Sequence, residues 1–107
     1  MIQVFHNEDF ISAGFDNEYV PDPNKCHRVA MVDTDNMERA FEYTNHIDKY
    51  WWENKEVRWA EKSSRSISVG DVMCKDGVFY VVASCGYRRL PDDWLIYNPK
   101  ENKEVVE

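Results

Sequence analysis

The sequence predicts an α+β fold: a small antiparallel sheet, built from a C-terminal hairpin and N-terminal strands, packed by one main helix at about 36–47. The first observation behind this prediction is Asp76-Gly77 between two β-rich runs, which is the strongest short signal for a hairpin. The second is a single apolar stripe at helical spacing after the capping residue Asp35. With 107 residues, the chain has material for one core, so we expect one globular domain over residues 1–97 and a polar tail over 98–107.

The N-terminal third predicts two strands joined by a long ordered loop. Residues 2–5 alternate weakly, as in a strand, and residues 28–33 form an apolar run typical of a strand buried on both faces. Residues 7–25 contain Gly14, Pro21 and Pro23, which favour a loop. The same segment carries large apolar side chains, so we expect it to be ordered.

Residues 36–47 predict the helix. Asp35 is a suitable N-cap, and Glu38, three positions later, completes a capping-box pattern. Residues at i, i+3, i+4, i+7 and i+10 then form the stripe that faces a core, namely Met37, Ala40, Phe41, Thr44 and Ile47.

Residues 48–62 fit neither the helical nor the strand period. Tyr50, Trp51, Trp52 and Trp59 are separated here by charged and amide side chains. We expect either an aromatic lid over the core or an exposed recognition loop. After this segment, residues 69–83 form the hairpin, residues 87–90 a short third strand, and residues 94–97 a segment that docks on the core.

The charge of the chain favours a basic partner. Twenty acidic and thirteen basic residues give a formal net charge of −7, which repels nucleic-acid phosphates and anionic membranes and attracts basic protein surfaces. Residues 1–24 contain no Lys or Arg, and we predict that their acids provide steering charge: Glu8, Asp9, Asp16, Glu18 and Asp22. The alternative is that these acids serve solubility alone.

The terminus and the cysteines favour the cytoplasm. No apolar run approaches the roughly 18 residues that span a bilayer, and the first residues lack a secretory signal. Cys26, Cys74 and Cys85 form an odd set with no CxxC pair, which predicts free thiols in a reducing compartment. Cys74 and Cys85 flank the predicted hairpin and could face each other across it, although packing as small apolar residues is the simpler interpretation.

Four short segments resemble a family of small bacteriophage and prophage proteins. They read Thr44-Asn45-His46-Ile47-Asp48, Trp51-Trp52-Glu53-Asn54, Arg65-Ser66-Ile67-Ser68-Val69-Gly70-Asp71-Val72 and Val82-Ala83-Ser84-Cys85-Gly86-Tyr87. The last two are similar to the core of YodL-like domains of mobile elements, except that Tyr87 stands where Phe is commoner. The resemblance covers residues 40–90. It implies a phage or mobile-element origin and no particular reaction.

Enzymatic and metal chemistry find little support in the residue spacing. Cys85 and His46 could form a Cys/His pair, but Cys85 lies in or after a predicted strand rather than at a helix N-terminus, where a thiolate is favoured. Cys26 and His27 are neighbours on a predicted strand and point to opposite faces, so they cannot easily share a metal ion. The glycines do not form a phosphate-binding loop. We therefore predict no enzyme activity, cofactor or metal site.

Protein binding is the function that the sequence favours. Trp, Tyr and Arg anchor interfaces, and the predicted contact set is Trp51, Trp52, Asn54, Trp59 and Arg65. We expect a phage accessory protein that binds a host protein and inhibits a host defence system. The alternative is a nucleic-acid-binding module in which aromatic side chains stack on bases and the cations are Arg58, Lys62, Arg65, Arg88 and Arg89.

Overall fold

Six strands form one antiparallel sheet in the order β3-β2-β1-β4-β5-β6. The computed structural model describes residues 1–14, 16, 18–45, 50–62 and 64–96. The strands are β1 (Ile2–Asn7), β2 (Cys26–Val32), β3 (Val57–Ala60), β4 (Val72–Lys75), β5 (Val78–Val82) and β6 (Tyr87–Arg89). One α-helix, α1 (Met37–Tyr43), lies within the described residues, with short 3-10 helices at Phe10–Ala13, Pro23–Lys25, Trp51–Glu53 and Trp94–Ile96. The predicted fold class is confirmed.

The hairpin of β4 and β5 has the predicted turn. Asp76 and Gly77 have φ angles of 52° and 79°, and positive φ at both central residues is the type I′ geometry that matches the twist of paired strands. Lys75 pairs with Val78 directly across this turn. The cross-strand partner of Cys74 is Phe79 rather than Cys85, and all three cysteines are free thiols.

Strand β1 lies at the centre of the sheet, between β2 and β4. It extends through His6 and Asn7, two residues beyond the predicted end, because β2 also begins earlier than predicted and pairs with both. A register shift between Val4 and Phe5 marks a bulge in this pairing. His6 and Asn7 are polar and do not continue the alternation of apolar residues, so this alternation predicts a strand that ends too early.

Helix α1 begins one residue later than the capping pattern predicts. The N-cap is Asn36, whose side-chain oxygen accepts a hydrogen bond from the Arg39 N–H at 3.2 Å. Asp35 is wrong as the N-cap, since its carboxylate instead binds the amino group of Met1 at 2.9 Å. The helix ends at Tyr43, and the Thr44 hydroxyl donates to a carbonyl of the last turn at 2.8 Å. Ile47 lies outside the described residues.

Apolar side chains pack on both faces of the sheet. The helix face, covered by α1 and Trp51, has the larger cluster: Ile2, Val4, Val29, Ala30, Val32, Ala40, Trp51, Ile67, Met73 and Val82. The outer face has a second cluster of Val72, Val81, Leu90 and Trp94, against which Tyr19 and Val20 pack. Trp94 docks as predicted, with its Nε1 donating to the Pro21 carbonyl at 2.8 Å, while residues 97–107 lie outside the described part.

Strand β3 is the element that the sequence did not predict. Residues 48–62 show no clear period, yet Val57–Ala60 pairs with β2 and forms one edge of the sheet. Its register shifts opposite Met31 and Val32, which leaves Arg58 as an extra residue. A four-residue edge strand with one such bulge is too short and irregular for a period-2 pattern to reveal.

Candidate functional site

The outer face of the sheet is covered over one half and open over the other. Residues 19–22 and 94–96 lie over β4, β5 and β6, where Tyr19, Val20 and Trp94 are packed. Over β1, β2 and β3, the exposed Arg28 and Trp59 and the half-buried Gln3 and Met31 form a group that we name the Trp59 surface. This open half is where a second molecule can contact the sheet directly.

The Trp59 surface is organised by contacts across three strands. Met31 pairs with Trp59 on β3 and with Gln3 on β1. The Arg28 guanidinium lies 5.0 Å from the centroid of the Trp59 ring and also donates to Gln3 Oε1 at 3.4 Å. Trp59 keeps 44% of its surface exposed. The result is an exposed indole whose orientation is held by its neighbours.

The two adjacent tryptophans have different environments. Trp51 is fully buried, and its Nε1 donates to the Ser64 and Arg65 carbonyls at 3.1 Å each. This burial removes Trp51 from the surface and corrects its predicted place in the contact set. Trp52 is half-buried and stacks on Tyr50, with 4.7 Å between ring centroids, and Tyr50 is 58% exposed.

Asn54 and Arg65, also predicted as contact residues, are engaged within the fold. Asn54 Nδ2 donates to the Tyr43 carbonyl at 2.8 Å and so connects the segment before β3 to the end of α1. Arg65 forms two 2.7 Å hydrogen bonds with the carboxylate of Asp71. Trp52 and Trp59 therefore have solvent-exposed surface that another molecule can contact. Trp51, Asn54 and Arg65 instead hold neighbouring segments of the chain in place.

Asp71 is a buried polar centre whose role the sequence did not reveal. Besides Arg65, its carboxylate accepts hydrogen bonds from the backbone N–H groups of Asn7 at 2.9 Å and Ser68 at 2.8 Å. Asn7 Nδ2 then donates to the Tyr19 hydroxyl at 2.8 Å. A turn aspartate before a strand is so common that its sequence context alone gives no signal for this network.

The acidic loop, residues 8–22, follows β1, and of its described residues Tyr19 and Val20 pack on the outer face. Glu8, Asp9, Asp16 and Glu18 are exposed, and Asp22 is half-buried. Asp9, Asp16 and Asp22 accept local hydrogen bonds, from Ser12, Glu18 and Asn24 respectively. None of the five forms an ion pair within the described residues, so their charge is not neutralised by a neighbouring cation of that part of the chain.

The cations of the predicted nucleic-acid patch are largely engaged with their own chain. Arg58 binds Asp33 at 2.6 Å, Arg89 binds Asp92 at 2.9 Å, and Arg65 is held by Asp71. Arg88 donates to the Tyr19 carbonyl. Lys62 is exposed without such a contact in the described part. Because a phosphate must compete with these partners, the structure does not favour this alternative.

The thiols and imidazoles are not gathered into a reactive group in the described residues. Cys85 is exposed and Cys74 is buried. Burial raises the pKa of the Cys26 thiol to about 12 and raises that of Cys74 above its ordinary value. His46, the proposed partner of Cys85, lies outside the described residues. In the described ranges, no group of three His, Cys, Asp or Glu side chains could hold a metal ion.

The Trp59 surface thus presents an exposed indole whose neighbours are Arg28 and Met31. Among the described segments, no helix has both the length and the apolar composition needed to cross a membrane. Any functional assignment for this chain depends on its own residues, because comparison with protein-family models, curated proteins and solved structures gives no match.

Proposed function

We propose that this chain is a non-enzymatic phage accessory protein that binds a host protein through the Trp59 surface. The observation that carries the proposal is the open half of the outer face, where a 44% exposed Trp59 lies beside Arg28 and Met31. Trp, Arg and Met are enriched at protein interfaces relative to the rest of the surface. Trp59 is also held in place before binding, which lowers the entropic cost of association.

The charge of the chain supports a partner with a basic surface. The net charge is −7, and residues 19 and 20 of the acidic loop pack on the outer face, the face that carries the Trp59 surface. A partner that docks on Trp59 would approach a negatively charged protein. The negative electrostatic potential speeds association with a cationic surface and slows association with an anionic one. The resemblance of residues 40–90 to phage proteins supports a host target in the cytoplasm, and we propose inhibition of a defence system as the outcome of binding.

The test is quantitative capture from bacterial host lysate, followed by binding to the purified captured protein. The variants are Trp59→Ala and, as a matched control, Ile11→Ala, which shortens another exposed apolar side chain (80% exposed) away from the Trp59 surface. Loss of a central Trp from an interface costs about 2 kcal/mol or more, so we expect Kd to rise about thirtyfold for Trp59→Ala. Ile11→Ala should bind like the wild type.

Charge steering is measured on the same purified pair. Replacing Asp16 and Glu18 with Lys should slow association several-fold at low salt and change dissociation little, since long-range charge acts mainly on the encounter rate. Equal capture by wild type and Trp59→Ala, both folded by their melting curves, would contradict the proposed surface.

A further inference from the structure

A groove runs between α1 and the turn that joins β5 to β6, on the helix face of the sheet. Its wider part has a volume of about 620 Å³ and its narrower part about 160 Å³. Glu38 and Tyr87 line both parts, which therefore lie next to each other. The groove lies on the opposite side of the sheet from the Trp59 surface and does not depend on it.

Apolar side chains form the floor of the narrow part and continue into the wide part, whose other lining is mostly polar. Phe41 and Val82 line the narrow part, Met37 lines the wide part, and Tyr87 lines both. The Tyr87 hydroxyl donates to the Met37 carbonyl at 3.3 Å, which fixes the phenol ring between helix and sheet. This floor suits the aliphatic part of a long side chain, or a planar group that stacks on the ring.

The charges along the groove are balanced at one end and unbalanced at the other. At the wide end, Asp35 binds the Met1 amino group at 2.9 Å, and nearby Lys75 contributes to holding the pKa of the Asp35 carboxyl below its ordinary value. Glu38 lines both parts, and Glu42, which lines neither, lies one helical turn further along α1. Neither forms an ion pair within the described part of the chain.

Glu38 and Glu42 both act on the Tyr87 ring that forms the floor. Burial raises the pKa of Tyr87 to about 12, and the two carboxylates add to that rise. Their negative charge therefore reaches the apolar floor itself, where the effective dielectric is below that of water. A cation placed over Tyr87 would be attracted by two carboxylates at once.

We propose that this groove binds an arginine side chain presented by a polypeptide partner. The aliphatic part of the side chain would lie on Phe41 and Met37, and its guanidinium would lie over Tyr87 and bind the carboxylate of Glu38. The argument is charge complementarity: two carboxylates with no ion pair in the described part of the chain, close to apolar side chains, match a group that is cationic at its tip and apolar along its stem. Arginine fits better than lysine because its planar group both stacks on a ring and binds a carboxylate through two N–H groups.

The single exposed thiol among the described residues provides a reporter next to the groove. Cys85 lies between Ala83 and Gly86, which line the narrow part. Cys26 and Cys74 are protected by burial, which raises the pKa of each thiol. A trifluoromethyl label on Cys85 can therefore be followed by fluorine NMR during titration with the capped tripeptide leucine-arginine-leucine. The paired probe is the same tripeptide with citrulline, which keeps the shape of arginine without its charge.

We expect the arginine tripeptide to shift the Cys85 label saturably and the citrulline tripeptide to bind about tenfold more weakly, since a charge-assisted pair is lost. Glu38→Gln should weaken binding of the arginine tripeptide by a similar factor. Glu53→Gln, which removes one exposed charge from the Trp51–Glu53 turn, should leave it unchanged.

Three outcomes would overturn the inference. Equal binding of the two tripeptides would mean that an uncharged apolar segment occupies the groove. Equal weakening by Glu38→Gln and Glu53→Gln would mean that net charge alone attracts the peptide. Absence of a saturable shift in the folded, labelled protein would mean that the groove does not bind arginine. Each result is independent of host-protein capture through Trp59, so the two proposals fail or stand separately.

Discussion

Arg65 holds the carboxylate of Asp71 with both of its terminal nitrogens, each 2.7 Å from an oxygen. Asp71 is fully buried, whereas the Arg65 side chain keeps 33% of its surface exposed. Arg65 Nη2 also donates to the Asn7 carbonyl at 3.2 Å, and the Phe10 ring lies 3.8 Å from the guanidinium carbon. One ion pair therefore joins the segment before β4 to the end of β1 and to the start of the acidic loop.

We predict that Arg65→Ala destabilises the fold by about 3–5 kcal/mol, because it leaves the Asp71 carboxylate buried without its cation. The matched control is Arg58→Ala, which breaks the ion pair with Asp33 that lies largely in solvent. Arg58→Ala should lower the free energy of unfolding by no more than about 1 kcal/mol. Urea unfolding followed by circular dichroism measures both. Similar losses for the two variants would mean that the Asp71 pair contributes no more than a surface pair.

Gly70 should be far less replaceable than Gly86, although their backbones are alike. Their φ angles are +94° and +87°, so alanine is strained at both. A Cβ on Gly70 would lie 2.6 Å from the Phe10 carbonyl oxygen, whereas a Cβ on Gly86 meets nothing within 4 Å. We expect Gly86→Ala to cost about 1–2 kcal/mol from strain alone and Gly70→Ala clearly more. Equal midpoints in thermal unfolding would contradict the close approach of Phe10.

Elements whose geometry depends only on residues close to one another in the sequence were predictable. The Asp76-Gly77 turn sets the hairpin through its own φ angles, and the apolar stripe of α1 needs only the helical repeat. The capping pattern predicts an N-cap one residue too early because Asp35 and Asn36 are both suitable capping residues. The spacing of residues cannot show that the Asp35 carboxylate forms an ion pair with the Met1 amino group.

Features that depend on distant residues were not predictable. Asn7 and Asp71 meet across 64 positions of sequence, and neither has a local pattern that indicates the other. Trp51 and Trp59 are the same residue type eight positions apart, yet one is fully buried and the other is 44% exposed. The face that Trp59 occupies follows from the pairing of β3 with β2, and this strand has no periodic signal, whereas Trp51 lies in the preceding 3-10 turn.

His6 makes the stability of the fold dependent on pH. It is 5% exposed, and its Nε2 has no hydrogen-bond partner among the described residues. The pKa of His6 is lowered to about 4, mainly by burial; Asp71 opposes this change, while Arg65 and His27 contribute to it. The unfolded chain binds this proton near the ordinary pKa of 6.5, so stability that is full above pH 6.5 is lost as the pH falls toward 4.

The titration of His6 alone should lower the free energy of unfolding by about 2 kcal/mol between pH 7.5 and pH 5. The measurement is the free energy of unfolding in urea at both pH values, for wild type and His6→Phe, which keeps the ring and removes the titration. The wild type should lose about 2 kcal/mol more than His6→Phe over this range. His27→Gln removes the smallest of the causes that lower the pKa of His6, at a half-exposed neighbour, and should keep most of the wild-type dependence. An unchanged pH dependence in His6→Phe would show that other groups are responsible.

Trp59 should account for most of the tryptophan fluorescence that a quencher dissolved in water can reach. Trp51 and Trp94 are buried, Trp52 is half-buried, and Trp59 is 44% exposed. Acrylamide is the suitable quencher because it is neutral, whereas iodide would be repelled by a chain with a net charge of −7. We expect Trp59→Phe to lower the Stern–Volmer slope and shift the emission to shorter wavelength, because the remaining indoles are shielded from water. Trp52→Phe should change the slope less. A slope unaffected by Trp59→Phe would mean that the open half of the outer face is covered in solution, for example by a second copy of the chain, and a dilution series would then restore the quenching.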